Sequence, residues 1–167
     1  MGPLTMARQR ARVEGYIATG RAEGARIACG GGRPKGLDNG FYVEPTVFTG
    51  VTSHMKIVQE EIFGPVVVVQ TYRDEDDAAA KANNSPYGLN ASVYSADEDK
   101  AYAVARRIRS GNVTVNGMIV DPTLPFGGFK ESGVGREGGI NGIMEYVEVK
   151  SVWLSTGVDI PNPFIRR

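Results

Sequence analysis

The sequence predicts an α/β fold whose parallel sheet is covered by helices on both faces. Three observations carry that reading. Strand-like and helix-like segments alternate along the chain. Val66 to Tyr72 opens as a continuous β-branched apolar run, the pattern of a strand buried on both faces. Asp97 to Ser110 is a helix with both ends punctuated: Asp97 is its N-cap, Ala101, Val104, Ala105 and Ile108 form its apolar stripe, and Gly111 stops it.

The elements follow in order. Thr5 to Glu23 reads as an amphipathic helix with Met6, Val13, Ile17 and Ala18 at helical spacing and Gly24 as its stop. Arg26 to Cys29 is a short strand closed by three glycines. Phe41 to Val43 and Thr46 to Phe48 form a second extended piece broken at Pro45. After the Val66 to Tyr72 strand, Asp74 caps a helix that Asn84-Ser85-Pro86 ends. Leu89 to Tyr94 and Val113 to Val115 are strands on either side of the Asp97 to Ser110 helix. Residues 117–139 make a long Gly/Pro-rich loop, and loops of that length in a folded domain are commonly functional or disordered. A short helix near Gly139 to Glu145 and a late strand, Val147 to Ser155, follow. The chain opens on a helix with no strand before it. A sheet built from these strands alone keeps an unpaired edge or a bare face, which points to further structure upstream.

The bulk numbers narrow the function classes. Lys plus Arg and Asp plus Glu both total 19, so neither nucleic acid nor an anionic membrane has an electrostatic claim on the chain. No apolar run approaches the roughly 18 residues of a membrane helix, and the N-terminus carries no signal-peptide core. The single cysteine, Cys29, excludes an internal disulfide framework and suits a reducing, cytoplasmic setting.

Four stretches could carry chemistry. Glu60-Glu61-Ile62-Phe63-Gly64-Pro65 places a carboxylate on a rigid turn before a strand. It is either an acceptor for sugar hydroxyls or a solvated acidic pair. In Pro125 to Gly133, two aromatic rings flank a Gly pair; they either wall a small-molecule pocket or plug a tightly turned loop. Gly133-Val134-Gly135-Arg136-Glu137-Gly138 matches G-x-G-x-x-G literally, but no strand runs into it and the chain nearly ends after it. It is not read as a phosphate cradle. Cys29 and the sole histidine, His54, invite a thiol-nucleophile reading, against which stands a small buried thiol with a surface histidine. One Cys and one His do not make a zinc site.

Taken together, Glu60 to Val66, Ala82 to Leu89, Gly111-Asn112-Val113 with Val115-Asn116, and Pro125 to Lys130 continuing through Arg136-Glu137 resemble the aldehyde dehydrogenase superfamily, in its order and spacing and over nearly the whole chain. The resemblance implies an incomplete three-layer, parallel-sheet catalytic domain of that type. Residues 1–146 would be its later portion, and residues 147–167 a C-terminal strand and tail for homo-oligomerisation. It also implies NAD or NADP as cofactor in the full-length enzyme and a small-molecule aldehyde as substrate. Glu61 looks like the carboxylate that hydrogen-bonds the nicotinamide ribose, and Phe63 like the aromatic beside the nicotinamide ring. Gln9 and Arg12 are similar in position to residues that approach the cofactor in some members. Phe126 looks like a substrate-pocket aromatic, and Met118 to Thr123, with Ile119, like the loop that tunes aldehyde choice.

In that family a cysteine attacks the aldehyde to give a thiohemiacetal, and a glutamate later activates water. Both motifs and the Rossmann-type domain lie before the stretch this chain resembles, and Cys29 does not match the nucleophile. The chain alone is therefore expected to be inactive. The other readings are a non-catalytic binding or assembly module derived from the fold, and an independent thiol enzyme built on Cys29.

Overall fold

The computed structural model describes residues 1–118, 121–154, 157 and 164. The first helix, α1 (Ala7–Ala22), buries Val13, Tyr16, Ile17 and Gly20, a stripe at i, i+3, i+4 and i+7. Met6 and Ala18, expected on that face, are exposed; Tyr16 and Gly20 occupy the buried face instead. Gly20 suits the stripe because a side chain there would run into Ile57 and the Phe48 ring. Gly24, at φ 93°, turns the chain out of the helix, and Ala25 N–H donates back to the Gly20 carbonyl.

Two strands and a one-turn helix complete the first unit: β1 (Arg26–Cys29), β2 (Thr46–Thr49) and α2 (Lys56–Gln59). β1 runs antiparallel to β2, and β3 (Val66–Val68) runs parallel to β2 with Thr46 opposite Val66. Their shared core is Val13, Tyr16, Ile17, Phe48, Ile57 and Ile62 with their neighbours.

The rest of the chain forms α3 (Glu75–Asn83), β4 (Tyr87–Gly88), β5 (Asn90–Val93), α4 (Glu98–Ala105), β6 (Asn112–Val115), β7 (Phe129–Lys130) and α5 (Gly139–Met144). Both expected caps are made: Asp77 N–H donates to Asp74 Oδ1 at 2.8 Å and Lys100 N–H to Asp97 Oδ1 at 3.1 Å. β5 and β6 pair in parallel, and β4 pairs antiparallel with β7. The sheet is thus present as parallel pairs with antiparallel additions, divided into three pieces. Among the described residues no helix is long and apolar enough to cross a membrane.

Several expectations need correction. The strand expected at Val66 to Tyr72 ends at Val68 and is not buried on both faces: Val67 is 57% exposed, because no described residue covers that side of β3. The helix expected to Ser110 ends at Ala105, and Gly111 does not cap it. The Gly111 N–H donates to the Gly88 carbonyl, which draws the chain into the sheet instead. Cys29 is exposed, not buried, since β1 is an edge strand whose register shifts at that residue. Residues 147–154 form no strand; no described strand lies beside them to pair with, and Trp153 is almost fully exposed. Ser155 lies outside the described residues.

Candidate functional site

The connection from α2 to β3 carries the Glu60 to Pro65 motif, and α1 holds it. Gln9, Arg12 and Tyr16 lie at helical spacing, and each grips a different residue of the motif. Gln9 Nε2 donates to the Phe63 carbonyl at 2.6 Å and reaches the Ile62 carbonyl at 3.4 Å. Arg12 Nη2 donates to the Glu61 carbonyl at 2.8 Å and to the Tyr16 hydroxyl at 3.2 Å. The Tyr16 hydroxyl donates to Glu60 Oε2 at 2.6 Å. That bond to a carboxylate, helped by burial, pushes the Tyr16 pKa up. Lys56 Nζ lies 5.6 Å from the centroid of the Tyr16 ring and 3.8 Å from Glu60, completing the network.

The loop is pinned from below as well. Ile62 is buried in the core, and Gly64 packs so closely on Val13 that a side chain there would overlap it. Phe63 is left in the left-handed region at φ 55°, a conformation that costs a side-chain-bearing residue roughly 1–2 kcal/mol. The Gln9 bond to its carbonyl and the bound residues on either side hold it there. The outcome alternates. Ile62 is buried and Glu60, itself exposed, is tied to Tyr16, while the Glu61 carboxylate and the Phe63 ring, 72% exposed, are presented outward. The Glu61 carboxylate makes no hydrogen bond or ion pair to the described residues, so its acceptor oxygens are available.

Four of the six expected site residues therefore come together: Gln9, Arg12, Glu61 and Phe63. Their roles divide, since the Gln9 amide and the Arg12 Nη2 are engaged with loop carbonyls. Tyr16 was missed; its spacing from Gln9 and Arg12 on one helical face was the available signal. Phe126 lies elsewhere. It is half-buried, exchanges two backbone hydrogen bonds with Glu137, and lines a cavity of about 350 Å³ with Asn90, Asn112 and Leu124. Asn112 Nδ2 is buried without a partner among the described residues. Neither Glu61 nor Phe63 lines that cavity. Ile119 is outside the described residues.

Other motif residues join the structure together. Lys130 Nζ donates to the carbonyls of Asn83 and Ser85 at 2.9 and 2.8 Å. Asn83 in turn donates to the Arg107 carbonyl and accepts from Arg109 N–H. Gly111 passes so close to the Gly127 carbonyl that a side chain there would strike it. This joint gathers three of the four motif stretches and presents no free reactive group. Cys29 and His54 are not brought together: the thiol's neighbour is the Pro45 carbonyl at 3.9 Å, and the imidazole's is Thr52. Among the described residues, no cluster of three or more His, Cys, Asp or Glu could hold a metal ion.

Comparison with known proteins gives consistent matches. The family model described as "Aldehyde dehydrogenase family" matches residues 1–152. The betaine aldehyde dehydrogenase of Brucella ovis is 48% identical over 165 residues, which cover 96% of this chain and 34% of that protein. The structure of a Mycobacterium tuberculosis aldehyde dehydrogenase complexed with NAD+ superposes with a TM-score of 0.91 at 51% identity, covering 96% of this chain and 33% of its own. The Staphylococcus aureus betaine aldehyde dehydrogenase in complex with NAD+ gives 0.91 at 41% identity, covering 99% and 34%. The chain spans about a third of the length of the relatives it matches.

Proposed function

The chain belongs to the aldehyde dehydrogenase family, and on that premise we propose that it supplies the C-terminal third of an NAD(P)-dependent enzyme that oxidises an aldehyde to a carboxylic acid. The observation that carries this reading is the clamped loop. A carboxylate with free acceptor oxygens and an exposed ring project from a backbone fixed at four successive residues. Those two groups fit a nicotinamide riboside: Glu61 offers acceptors to ribose hydroxyls, and Phe63 an apolar face to the ring. When bound, the dinucleotide supplies the hydride acceptor. Glu61 and Phe63 hold it, and Gln9 and Arg12 act by keeping the loop in place.

Phe126, with Ile119 and the rest of the Met118 to Thr123 loop, belongs on the aldehyde side. The relatives' names include betaine aldehyde dehydrogenases, and a further neighbour, from Pseudomonas syringae, is a complex with NAD+ and octanal. The substrate is accordingly proposed only as an aldehyde. The exposed apolar stretch from Val147 to Leu154 is proposed to pair in a homo-oligomer, with residues 147–167 as the assembly segment and 1–146 as the partial catalytic domain.

The test is Glu61→Gln in an active polypeptide that contains these 167 residues. Weakening a hydrogen bond to a charged acceptor, about 1.5 kcal/mol, lowers kcat/KM for the dinucleotide roughly tenfold or more, with the melting temperature unchanged. Unaltered kinetics would remove Glu61 from the site.

A further inference from the structure

The G-x-G-x-x-G run ends at Gly138, and Gly139 opens α5. Both residues have positive φ values, 72° and 54°. Gly138 combines its φ with a ψ of 162°, a conformation open essentially to glycine alone. The turn from Asp121 to Pro125 rests against this pair. A Cβ on Gly138 would stand 2.7 Å from the Leu124 carbonyl oxygen and 3.0 Å from that of Pro122. A Cβ on Gly139 would stand 2.7 Å from the Thr123 carbonyl oxygen. Three successive carbonyls therefore lie on two residues that have no side chain. The Gly139 N–H ties them down by donating to the Pro122 carbonyl at 3.1 Å.

The turn is also closed internally. Asp121 Oδ1 accepts from the Thr123 N–H at 2.8 Å and from the Thr123 hydroxyl at 2.6 Å, and the Asp121 carbonyl accepts from the Leu124 N–H at 3.1 Å. The Phe126–Glu137 bridge follows at once, with backbone bonds of 2.7 and 2.8 Å. A turn bonded in this way moves as one piece, and it brings Asp121, Leu124 and Phe126 to the wall of the cavity of about 350 Å³. Any side chain at Gly138 or Gly139 has to displace backbone. Restoring ordinary contact at 3.4 Å moves the nearest carbonyl by about 0.7 Å, and misplacement on the order of 1 Å at a reacting site can cost about a hundredfold in rate. Gly133 provides the contrast. Its φ is also positive, at 130°, but a Cβ there meets no atom beyond its chain neighbours within 4 Å.

We propose that Gly138 and Gly139 are positioning residues for aldehyde selectivity: lacking side chains, they set how close the Asp121 to Phe126 turn lies to α5, and so the shape of the wall that the aldehyde meets. The selectivity rests on the functional reading above, which puts Phe126 and the loop before it on the aldehyde side. The seating of the turn on the two glycines rests on the contacts alone.

The experiment measures kcat/KM for acetaldehyde and for octanal, and KM for NAD+, in an active polypeptide that contains these 167 residues. Wild type is compared with Gly138→Ala, Gly139→Ala, Gly133→Ala and Phe126→Ala. Gly138→Ala and Gly139→Ala should each change the octanal-to-acetaldehyde ratio about tenfold. KM for NAD+ should stay within about twofold, because neither Glu61 nor Phe63 lines that cavity. Gly133→Ala carries the backbone strain without the collision, so it should lower the melting temperature and leave the ratio unchanged. Amide exchange in the 167-residue chain reads the seating directly: the N–H of residue 139 should exchange about tenfold faster in Gly139→Ala and not in Gly133→Ala. An equal ratio change in Gly133→Ala, or a KM for NAD+ that moves with the ratio, would overturn the proposal. So would unfolding of Gly138→Ala and Gly139→Ala under conditions where Gly133→Ala folds, since the glycines would then serve the fold alone. A ratio moved by Phe126→Ala but by neither glycine variant would remove the proposal and leave the functional reading standing. A ratio unmoved by Phe126→Ala would remove the aldehyde-side reading and the proposal with it.

Discussion

Residues 1–65 and the residues after them are built to different standards. The first region closes on itself: nine buried apolar side chains from Val13 to Ile62 form one cluster, with Val13 and Phe48 wholly inaccessible. Among its described apolar residues the second region buries only alanines, at Ala79, Ala101 and Ala105, while Val134, Ile140, Tyr146, Val149 and Trp153 are open to water. Burying a methyl group returns little beside burying a phenyl ring, so the second region depends on caps, ion pairs and the Asn83–Lys130 joint. The difference teaches where the fold is self-supporting and where it presents surface. The clamped loop stands on the self-supporting side.

The comparison breaks first at its largest expected effect. Phe48→Ala should cost about 3–5 kcal/mol, because the ring fills the centre of the only large cluster among the described residues. Chemical denaturation followed by circular dichroism measures it; a loss below about 1 kcal/mol would mean the first region does not carry the fold.

A smaller effect sharpens the contrast. Asp77 accepts from Lys81 Nζ at 2.8 Å and from Arg73 N–H at 3.1 Å, and these bonds, that to Lys81 foremost, lower its pKa from 3.8 to about 2. A depressed carboxylate contributes stability above its unfolded pKa and loses it as the pH falls through the folded value. The start of α3 should therefore loosen between about pH 4 and pH 2. In the first region, Glu14 is lowered in the same way by its bond to Arg33, but the Phe48 cluster involves no carboxylate apart from the Tyr16–Glu60 bond at its rim. Amide exchange in α3 across that window should rise before exchange in β2, and Asp77→Asn should abolish the dependence. At the small end, Trp153→Ala should change stability by no more than about 0.5 kcal/mol, since the ring touches water almost everywhere. A larger loss in the isolated chain would show that residues 147–154 are docked.

Much of this was legible in the sequence, for physical reasons that can be named. The helix caps were readable because Asp74 and Asp97 act within three residues of themselves. α1, β1, β2 and β6 were readable from periodicity. What failed was long-range. Val67 looked doubly buried because β-branched apolarity records the environment a strand is suited to, and one side of β3 is bare. Cys29 looked buried for the same reason, although β1 is an edge. The site's outward residues, Glu61 and Phe63, were readable through their motif. The grip on that loop was not readable: the resemblance set Gln9 and Arg12 near the cofactor, and their carbonyl partners lie 49 to 54 residues away and leave no local trace.

The central claim is that this chain carries a nicotinamide-side element of an aldehyde dehydrogenase without the groups that perform the oxidation. The most direct measurement is formation of NADH or NADPH by the purified 167-residue chain across a panel of aldehydes. Its one thiol stands on an edge strand beside a backbone carbonyl and makes no hydrogen bond to a basic group among the described residues, and losing a reacting set as a unit can cost about a million-fold in turnover. The account predicts no reduced cofactor above the uncatalysed background. Saturable turnover that disappears in Cys29→Ser would contradict it.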